Sequence, residues 1–311
     1  MKQFAAKSAL LLLINGLIGV AMLAAVDSRY HFEQYETDSI LLSTPKNTHF
    51  GLVVLGTSRA RLLTRIQCNY ELLERELGIE VLNLAIPFGG GIVPEKMFLK
   101  NFFDAGNSAD TVLFFLDAFM LFSPQPNREH RFVSYEPLRP RFLWQILTND
   151  MPPERIFTYI DSKFTHRWFT QTPGVVPCDP RVIADLQMDT EKIRKRNESL
   201  HFEGLSERYF AKYARVLEAI LAMAQDKGCR IIIAFPPTLL GEQPGTPRLI
   251  EELEKLRTTY DFEVHDFTNA IRDLSLYSDY DHLNSEGVEV FVTQFLRPVL
   301  RGSEESGAGA S

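Results

Sequence analysis

Cysteine is scarce in this chain of 311 residues: Cys68, Cys178 and Cys229 are the only three, and none forms a CxxC pair. That spacing argues against a structural zinc site, and an odd count leaves at least one thiol without an intrachain partner. A Cys68–Cys178 disulfide is compatible with the sequence, whereas Cys229 opens the apolar run Cys229–Phe235 and reads as a small buried hydrophobe. Positive charge is also short, with 33 Lys and Arg against 40 Asp and Glu and a net charge of −7. No Lys/Arg stripe alternates with aromatics, which argues against nucleic acid as a partner. The densest basic run, Glu191–Asn197, reads as one turn of a solvated surface helix. No HExxH or HxxxH occurs, there are no internal repeats, and past the N-terminus no apolar run is long enough to cross a bilayer.

What is present begins at the N-terminus. Lys2 and Lys7 precede an uncharged stretch from Ser8 to Val26. At 1.5 Å per helical residue it spans roughly 28 Å, close to the hydrocarbon thickness of about 30 Å. A secretory signal has a shorter apolar core and a clean small-x-small site, which Ala24 and Ala25 supply poorly. The favoured reading is an uncleaved anchor over residues 1–30. The lysines then hold the N-terminus in the cytoplasm and place the remainder on the outer, periplasmic side of the inner membrane.

Residues 31–49 are polar with scattered aromatics and read as a stalk, and 302–311 as a disordered tail. Between them, 45% hydrophobic and 23% charged residues over the chain suit a globular domain with a sizeable core. Short apolar runs without period-two alternation mark strands buried on both faces, at Gly51–Leu55, Glu80–Leu84, Thr111–Leu116, Arg230–Phe235 and Phe262–His265. Helical patterns intervene at Asn69–Leu77, Val93–Phe103, Ser206–Asp226, Pro247–Thr258 and Ser285–Leu300. Strand and helix in regular succession predict an α/β fold: a doubly wound, flavodoxin-like parallel sheet of five strands with helices on both faces, over residues 50–301. Functional residues in such sheets sit at the carboxyl ends of strands. The stretch from about 122 to 204, rich in proline and aromatics, breaks the rhythm and reads as an insertion, a lid or partner surface.

Three segments carry chemistry. Val53–Arg59 runs a buried strand into Gly56, Thr57 and Ser58; glycine allows a tight turn that presents a serine nucleophile, though the same pattern also makes a simple turn or helix cap. Asp279–Gly287 places Asp279 three residues before His282, a spacing at which the carboxylate can fix the ring's tautomer. Asp281 is the alternative acid, and Asn284 or Ser285 can cap the following helix. Asn83–Gly91 ends in three glycines whose backbone N–H groups suit an oxyanion hole, or simply a turn.

Together these segments resemble the SGNH (GDSL-like) hydrolase superfamily in the right chain order. Ser58 matches the block I serine, with Gly-Thr-Ser-Arg in place of Gly-Asp-Ser. Asn83 and Gly89/Gly90 match the block II asparagine and oxyanion glycine, and Asp279 and His282 match the DxxH of block V. The resemblance implies Ser58, Asp279 and His282 as the triad and the N–H groups of Ser58 and Gly89 or Gly90 as the oxyanion hole; Arg59, Asn83 and Asp117 are candidates for supporting the site. It departs at block III, where Leu116-Asp117-Ala118 stands in place of Gly-x-Asn; an ionised Asp117 would repel an oxyanion, which leaves it a structural role or a hydrogen bond to the Ser58 loop or to Arg59. The anchor, the insertion and the Gly-Thr-Ser-Arg variant look like the envelope acylation proteins of bacteria, of the D-alanyl transfer and polysaccharide O-acetylation type. The resemblance thus implies a cell-envelope glycan or glycolipid as substrate, membrane contact through residues 8–26, and a membrane-bound O-acyltransferase as partner. Hydrolase and transferase share the triad, and a non-catalytic binding subunit is the rival reading. A metal-dependent phosphohydrolase would need convergent ligands beyond His265-Asp266 and Asp279–His282. No metal or cofactor is expected.

Overall fold

The computed structural model describes residues 2–29, 41, 44–61, 63, 69–86, 90–128, 131–134, 136–148, 154–163, 186–201 and 204–302. In chain order the elements are α1 (Lys2–Arg29), β1 (His49–Gly56), α2 (Ser58–Arg61), α3 (Tyr70–Leu77), β2 (Val81–Asn83), α4 (Ile92–Asp104), β3 (Ser108–Phe115), α5 (Phe119–Phe122) and α6 (Pro124–Asn127). There follow α7 (Pro140–Thr148), α8 (Glu154–Ser162), α9 (Thr190–Leu200), α10 (Glu207–Asp226), β4 (Arg230–Phe235), α11 (Thr246–Leu256), β5 (Glu263–Asp266), α12 (Ser285–Phe291) and α13 (Arg297–Arg301). The chain divides into two compact units, Met1–Ser43 with Val133–Val175 and Thr44–Phe132 with Val176–Ser311.

In the first unit α1 contains a 20-residue window, Gln3–Met22, with mean hydropathy 1.8 and no buried residue, long and apolar enough to cross a membrane. Its one amide in mid-span, Asn15, turns its Nδ2 onto the Leu11 carbonyl at 2.8 Å, which hides the donor against the helix itself. Helices α7 and α8 share a small core in which the Phe142 ring meets Tyr159 at 5.4 Å. The Tyr159 hydroxyl donates to the Pro137 carbonyl and accepts from the Arg139 N–H. Trp144, Leu147, Phe157 and Ile160 on these two helices are exposed.

The second unit is built on a five-stranded, all-parallel sheet in the order β2-β1-β3-β4-β5, so the fold is α/β as its alternating runs predict. Both faces are covered. On one, Leu52, Val54, Leu113, Phe115, Ile232 and Ala234 form a continuous core with residues of α3 and the C-terminal helices. The intervening Val53, Leu55, Val112, Phe114, Ile231 and Ile233 are equally buried, which is why these strands read as unbroken apolar runs. Helices α4 and α10 pack against one another along the chain's longest amphipathic pattern, and Ser206 caps α10 by accepting from the Tyr209 N–H.

Boundaries shift by a few residues. β3 starts at Ser108 rather than Thr111, because its polar first turn pairs with β1 from His49 onward; that pairing also draws His49 out of the stretch read as stalk. The C-terminal helix runs unbroken from Ser285 to Arg301, but its middle turn, Val292–Leu296 between α12 and α13, is π-helical. Pro298 lacks an N–H for the carbonyl four residues back and its ring crowds that carbonyl, so the helix widens ahead of it. Cys229 is buried, with its thiol against the Ala109 carbonyl at 3.1 Å; Cys68 and Cys178 lie outside the described residues, as do 31–40 of the stalk and 303–311 of the tail.

Candidate active site

The strand order reverses between β1 and β3, and there the chain leaves both strands at the same edge. β1 ends at Gly56, whose φ of 142° is open to glycine, and a Cβ there would lie 2.8 Å from Ala60 Cβ and 2.9 Å from the Phe115 carbonyl oxygen. Free of a side chain, the backbone turns at once into α2, which begins with Ser58. Asn83 holds this turn from the neighbouring strand. Its Nδ2 donates to the Ala60 carbonyl at 2.8 Å while its Oδ1 accepts from the Ala85 N–H at 2.8 Å. Its role is therefore to lock the serine turn to the end of β2.

The histidine arrives from the other end of the sequence. Residues Tyr277–Leu283 fold back as a tight hairpin, with Tyr277 bridging Leu283 and the Ser278 N–H donating to the His282 carbonyl at 2.8 Å. Asn284 then caps α12, accepting from the Gly287 N–H at 2.9 Å; a Cβ on Gly287 would sit 2.1 Å from the Leu276 oxygen. One loop thus holds both the helix cap and the Asp279–His282 pair. Asp279 Oδ1 accepts the N–H groups of Asp281 and His282, each at 2.9 Å, so the carboxylate is aimed by the backbone before it meets the ring.

The resulting geometry is a relay. His282 Nδ1 lies 2.9 Å from both oxygens of Asp279, and Nε2 lies 2.8 Å from Ser58 Oγ. Asp281, the alternative acid, stands 3.6 Å from Nδ1 and is engaged by Arg196. Burial works to raise the Asp279 carboxyl, but the hydrogen bond and charge of His282 and the Asp281 N–H outweigh it and hold the group well below the ordinary carboxylate range. An ionised acid on one ring nitrogen and a hydroxyl on the other is what a general base needs in order to take a proton from serine.

Asp117 and Arg59 form a buried pair at 2.9 Å, their side chains 3% and 4% exposed, and the Thr57 hydroxyl donates to Asp117 at 3.3 Å. Burial pushes the Asp117 carboxyl upward, with Arg59 and Thr57 pulling against it. Asp117 thus ties the end of β3 to both neighbours of Ser58. Gly90 is buried against Ile86, where a Cβ would meet the Ile86 side chain at 2.5 Å; Gly89 lies outside the described residues.

Beside Arg59 and Asp117, a cleft of about 290 Å³ opens at the carboxyl ends of β3, β4 and β5. Phe235, Thr238, Gln243 and Thr268 are among its walls, a polar lining with a small apolar side. Its volume is at the lower end of ligand pockets, about 300–1,000 Å³. Asp279, Asp281 and His282 also bring ligand atoms within 4.8 Å of one another, but Arg196 already grips Asp281, and His282 offers its two nitrogens to Asp279 and Ser58. His265 pairs with Glu263 at 3.1 Å and belongs to a different edge of the sheet.

Two features around the site were not read from the sequence. Arg196, assigned to a solvated helix turn, spans 85 residues to Asp281; nothing local announces that contact. Glu95 is fully buried, facing the backbone at Gly56 and Ile86 without a well-aligned hydrogen bond, and burial raises its carboxyl well above the usual range. Its signal was available, since Ile92, Glu95, Leu99 and Phe102 recur at helical spacing on the inward side of α4. No protein-family model matches the chain, and no curated protein matches it either.

Proposed function

We propose that the chain is a serine-dependent esterase or O-acyltransferase of the SGNH type, acting on an acylated cell-envelope polysaccharide or glycolipid. One observation carries the reading: His282 bridges Ser58 Oγ at 2.8 Å and Asp279 at 2.9 Å, across 224 residues of sequence. In the first step Ser58 Oγ attacks the acyl carbonyl and its proton passes to His282 Nε2. The tetrahedral intermediate collapses to an acyl-serine as the ring returns that proton to the departing alcohol. Water or a sugar hydroxyl then attacks the acyl-serine, giving its proton to the same nitrogen; the second tetrahedral intermediate expels Ser58 Oγ, which takes that proton back as the free acid or the new ester departs. The N–H groups of Ser58 and of Gly89 or Gly90 are assigned to the oxyanion. The polar cleft beside Arg59 suits the hydroxyl-rich part of such a substrate.

In this reading α1 is an uncleaved, single-pass anchor in the inner membrane, and the sheet unit is periplasmic. Two features support it: the lysines before the apolar span, and its length. The exposed Trp144, Leu147, Phe157 and Ile160 offer an apolar surface to a membrane-embedded partner such as an O-acyltransferase.

A second reading, a binding subunit without turnover, draws on Asp117. A carboxylate paired with Arg59 stands where an amide donor to the oxyanion belongs. Labelling the full-length protein with a fluorophosphonate, mapped by mass spectrometry, separates the two. An adduct on Ser58 that disappears in His282→Ala supports the enzyme, and well-folded protein without an adduct supports the subunit.

A further inference from the structure

The Nδ1 side of His282 faces two carboxylates, Asp279 at 2.9 Å and Asp281 at 3.6 Å. Their side chains differ sharply in exposure, 48% against 5%. A ring that is to take the serine proton must first be neutral, and an imidazole facing two free carboxylates keeps its proton to higher pH than one facing a single carboxylate. Asp281 is not free. Arg196 Nη2 lies 2.6 Å from its Oδ2, and Arg196 Nε lies 3.1 Å from both oxygens.

The helix that supplies this arginine is not placed by a hydrophobic face, because α9 buries none of its residues. Polar ties seat it instead. Besides the Arg196 fork, Asn197 Nδ2 donates to the Leu240 carbonyl at 3.3 Å, and the Tyr280 hydroxyl donates to the Gln187 carbonyl at 2.9 Å. Each tie runs to the 279–282 loop or to the segment after β4 that holds this loop through Leu239 N–H and Tyr280 O, 2.9 Å apart. Among the described residues, the groups about the ring are Asp279 and Asp281 from its own loop, Ser58 from α2, Asp117 from the end of β3 and, behind Asp281, Arg196 from α9. Of the acids, Asp117 is neutralised by Arg59 and Asp281 by Arg196, which leaves Asp279.

We propose that Arg196 is a positioning residue, which by clamping Asp281 leaves Asp279 as the carboxylate that His282 engages and keeps the ring free to accept the Ser58 proton. The proposal rests on the triad assignment above. Arg196 acts through Asp281 and takes no part in bond making.

The test uses the full chain in lipid nanodiscs, as wild type, Arg196→Gln, Arg196→Lys, Asp281→Asn and the double variant Arg196→Gln/Asp281→Asn. Two quantities are followed from pH 5 to 9: the rate of fluorophosphonate labelling at Ser58, and the NMR shift of the His282 ring in protein carrying ¹³C-histidine. In Arg196→Gln the acid limb of both profiles moves up by about one pH unit, so labelling at pH 6 falls ~10-fold and recovers by pH 9. Arg196→Lys, a point charge in place of a planar fork, moves it by less. Asp281→Asn leaves the limb at the wild-type position or below it, and the double variant returns to that position. Equal slowing of Arg196→Gln at every pH, or a double variant as shifted as the single, overturns the proposal. Should Arg196→Gln not fold, an unshifted limb in Arg196→Lys overturns it as well. If wild-type Ser58 does not label, the triad reading fails by itself, and the ring titration still decides the role of Arg196.

Discussion

His282 Nε2 and Ser58 Oγ stand 2.8 Å apart although 224 residues separate them in sequence. Neither residue reaches the other by local structure. Gly56 ends β1 and turns the serine outward, the Tyr277–Leu283 hairpin turns the histidine inward, and the sheet brings the two loops to one edge.

Replacing either partner is expected to stop the chemistry and spare the fold. Ser58→Ala and His282→Ala should each lower hydrolysis of an aryl acetate by at least about 10³-fold. The Ser58 side chain is only half-buried, so thermal unfolding should stay within a few degrees of wild type. Full turnover by Ser58→Ala would end the triad assignment.

Asp279 links the site to acid stability. Its carboxyl is held below its ordinary value of 3.8 in the folded chain. A group depressed in this way stabilises the fold above that value and loses its contribution as pH falls through the range beneath it. Urea unfolding of wild type should therefore weaken faster below pH 4 than unfolding of Asp279→Asn, whose amide does not titrate. The same variant should lose about 10²- to 10⁴-fold in turnover at neutral pH, since the ring loses the acceptor that sets its tautomer. Parallel stability curves for the two proteins would remove the linkage.

Glu95 carries the opposite sign. Burial raises its carboxyl well above the ordinary 4.5. A carboxyl that holds its proton more tightly folded than unfolded favours folding at low pH, and that contribution is lost as pH rises from about the unfolded value through the folded one. Glu95→Gln keeps the shape without the ionisation. Its stability relative to wild type should widen in its favour between pH 5 and pH 8, measured by urea unfolding. A constant difference would mean that Glu95 does not titrate in this window.

The membrane reading can be tested by truncation. A chain starting near Tyr30 should be released from membranes by buffer alone, because α1 holds the one membrane-length helix among the described residues. Retention on vesicles would assign a second contact to the exposed Trp144 and Phe157. The variant pair Trp144→Ser and Phe157→Ser would then be expected to release it.

Much of the fold was legible because it depends on short-range patterning. A parallel strand buried on both faces must be apolar at successive positions, and Val53–Leu55, Leu113–Leu116 and Ile231–Phe235 announce themselves in that way. Gly56-Thr57-Ser58 and Asp279–His282 are likewise local, because a tight turn and an i,i+3 hydrogen bond need only neighbouring residues. The π turn at Val292–Leu296 was less visible, although Pro298 is its physical cause.

The sequence by itself thus determined the strands, the serine turn, the acid–histidine spacing and the membrane-length helix, since each is set by residues within a few positions of one another. Only the tertiary structure decided which acid serves the ring and what the acid after β3 does. Asp281 is nearer to His282 in sequence than Asp279 is, yet it is withdrawn by an arginine 85 residues away. Asp117 is taken by Arg59, a partner 58 residues distant, through the pairing of β1 with β3. A buried carboxylate takes its charge from whichever cation the fold brings beside it, and that choice is made by strand order and loop return, which no local pattern contains.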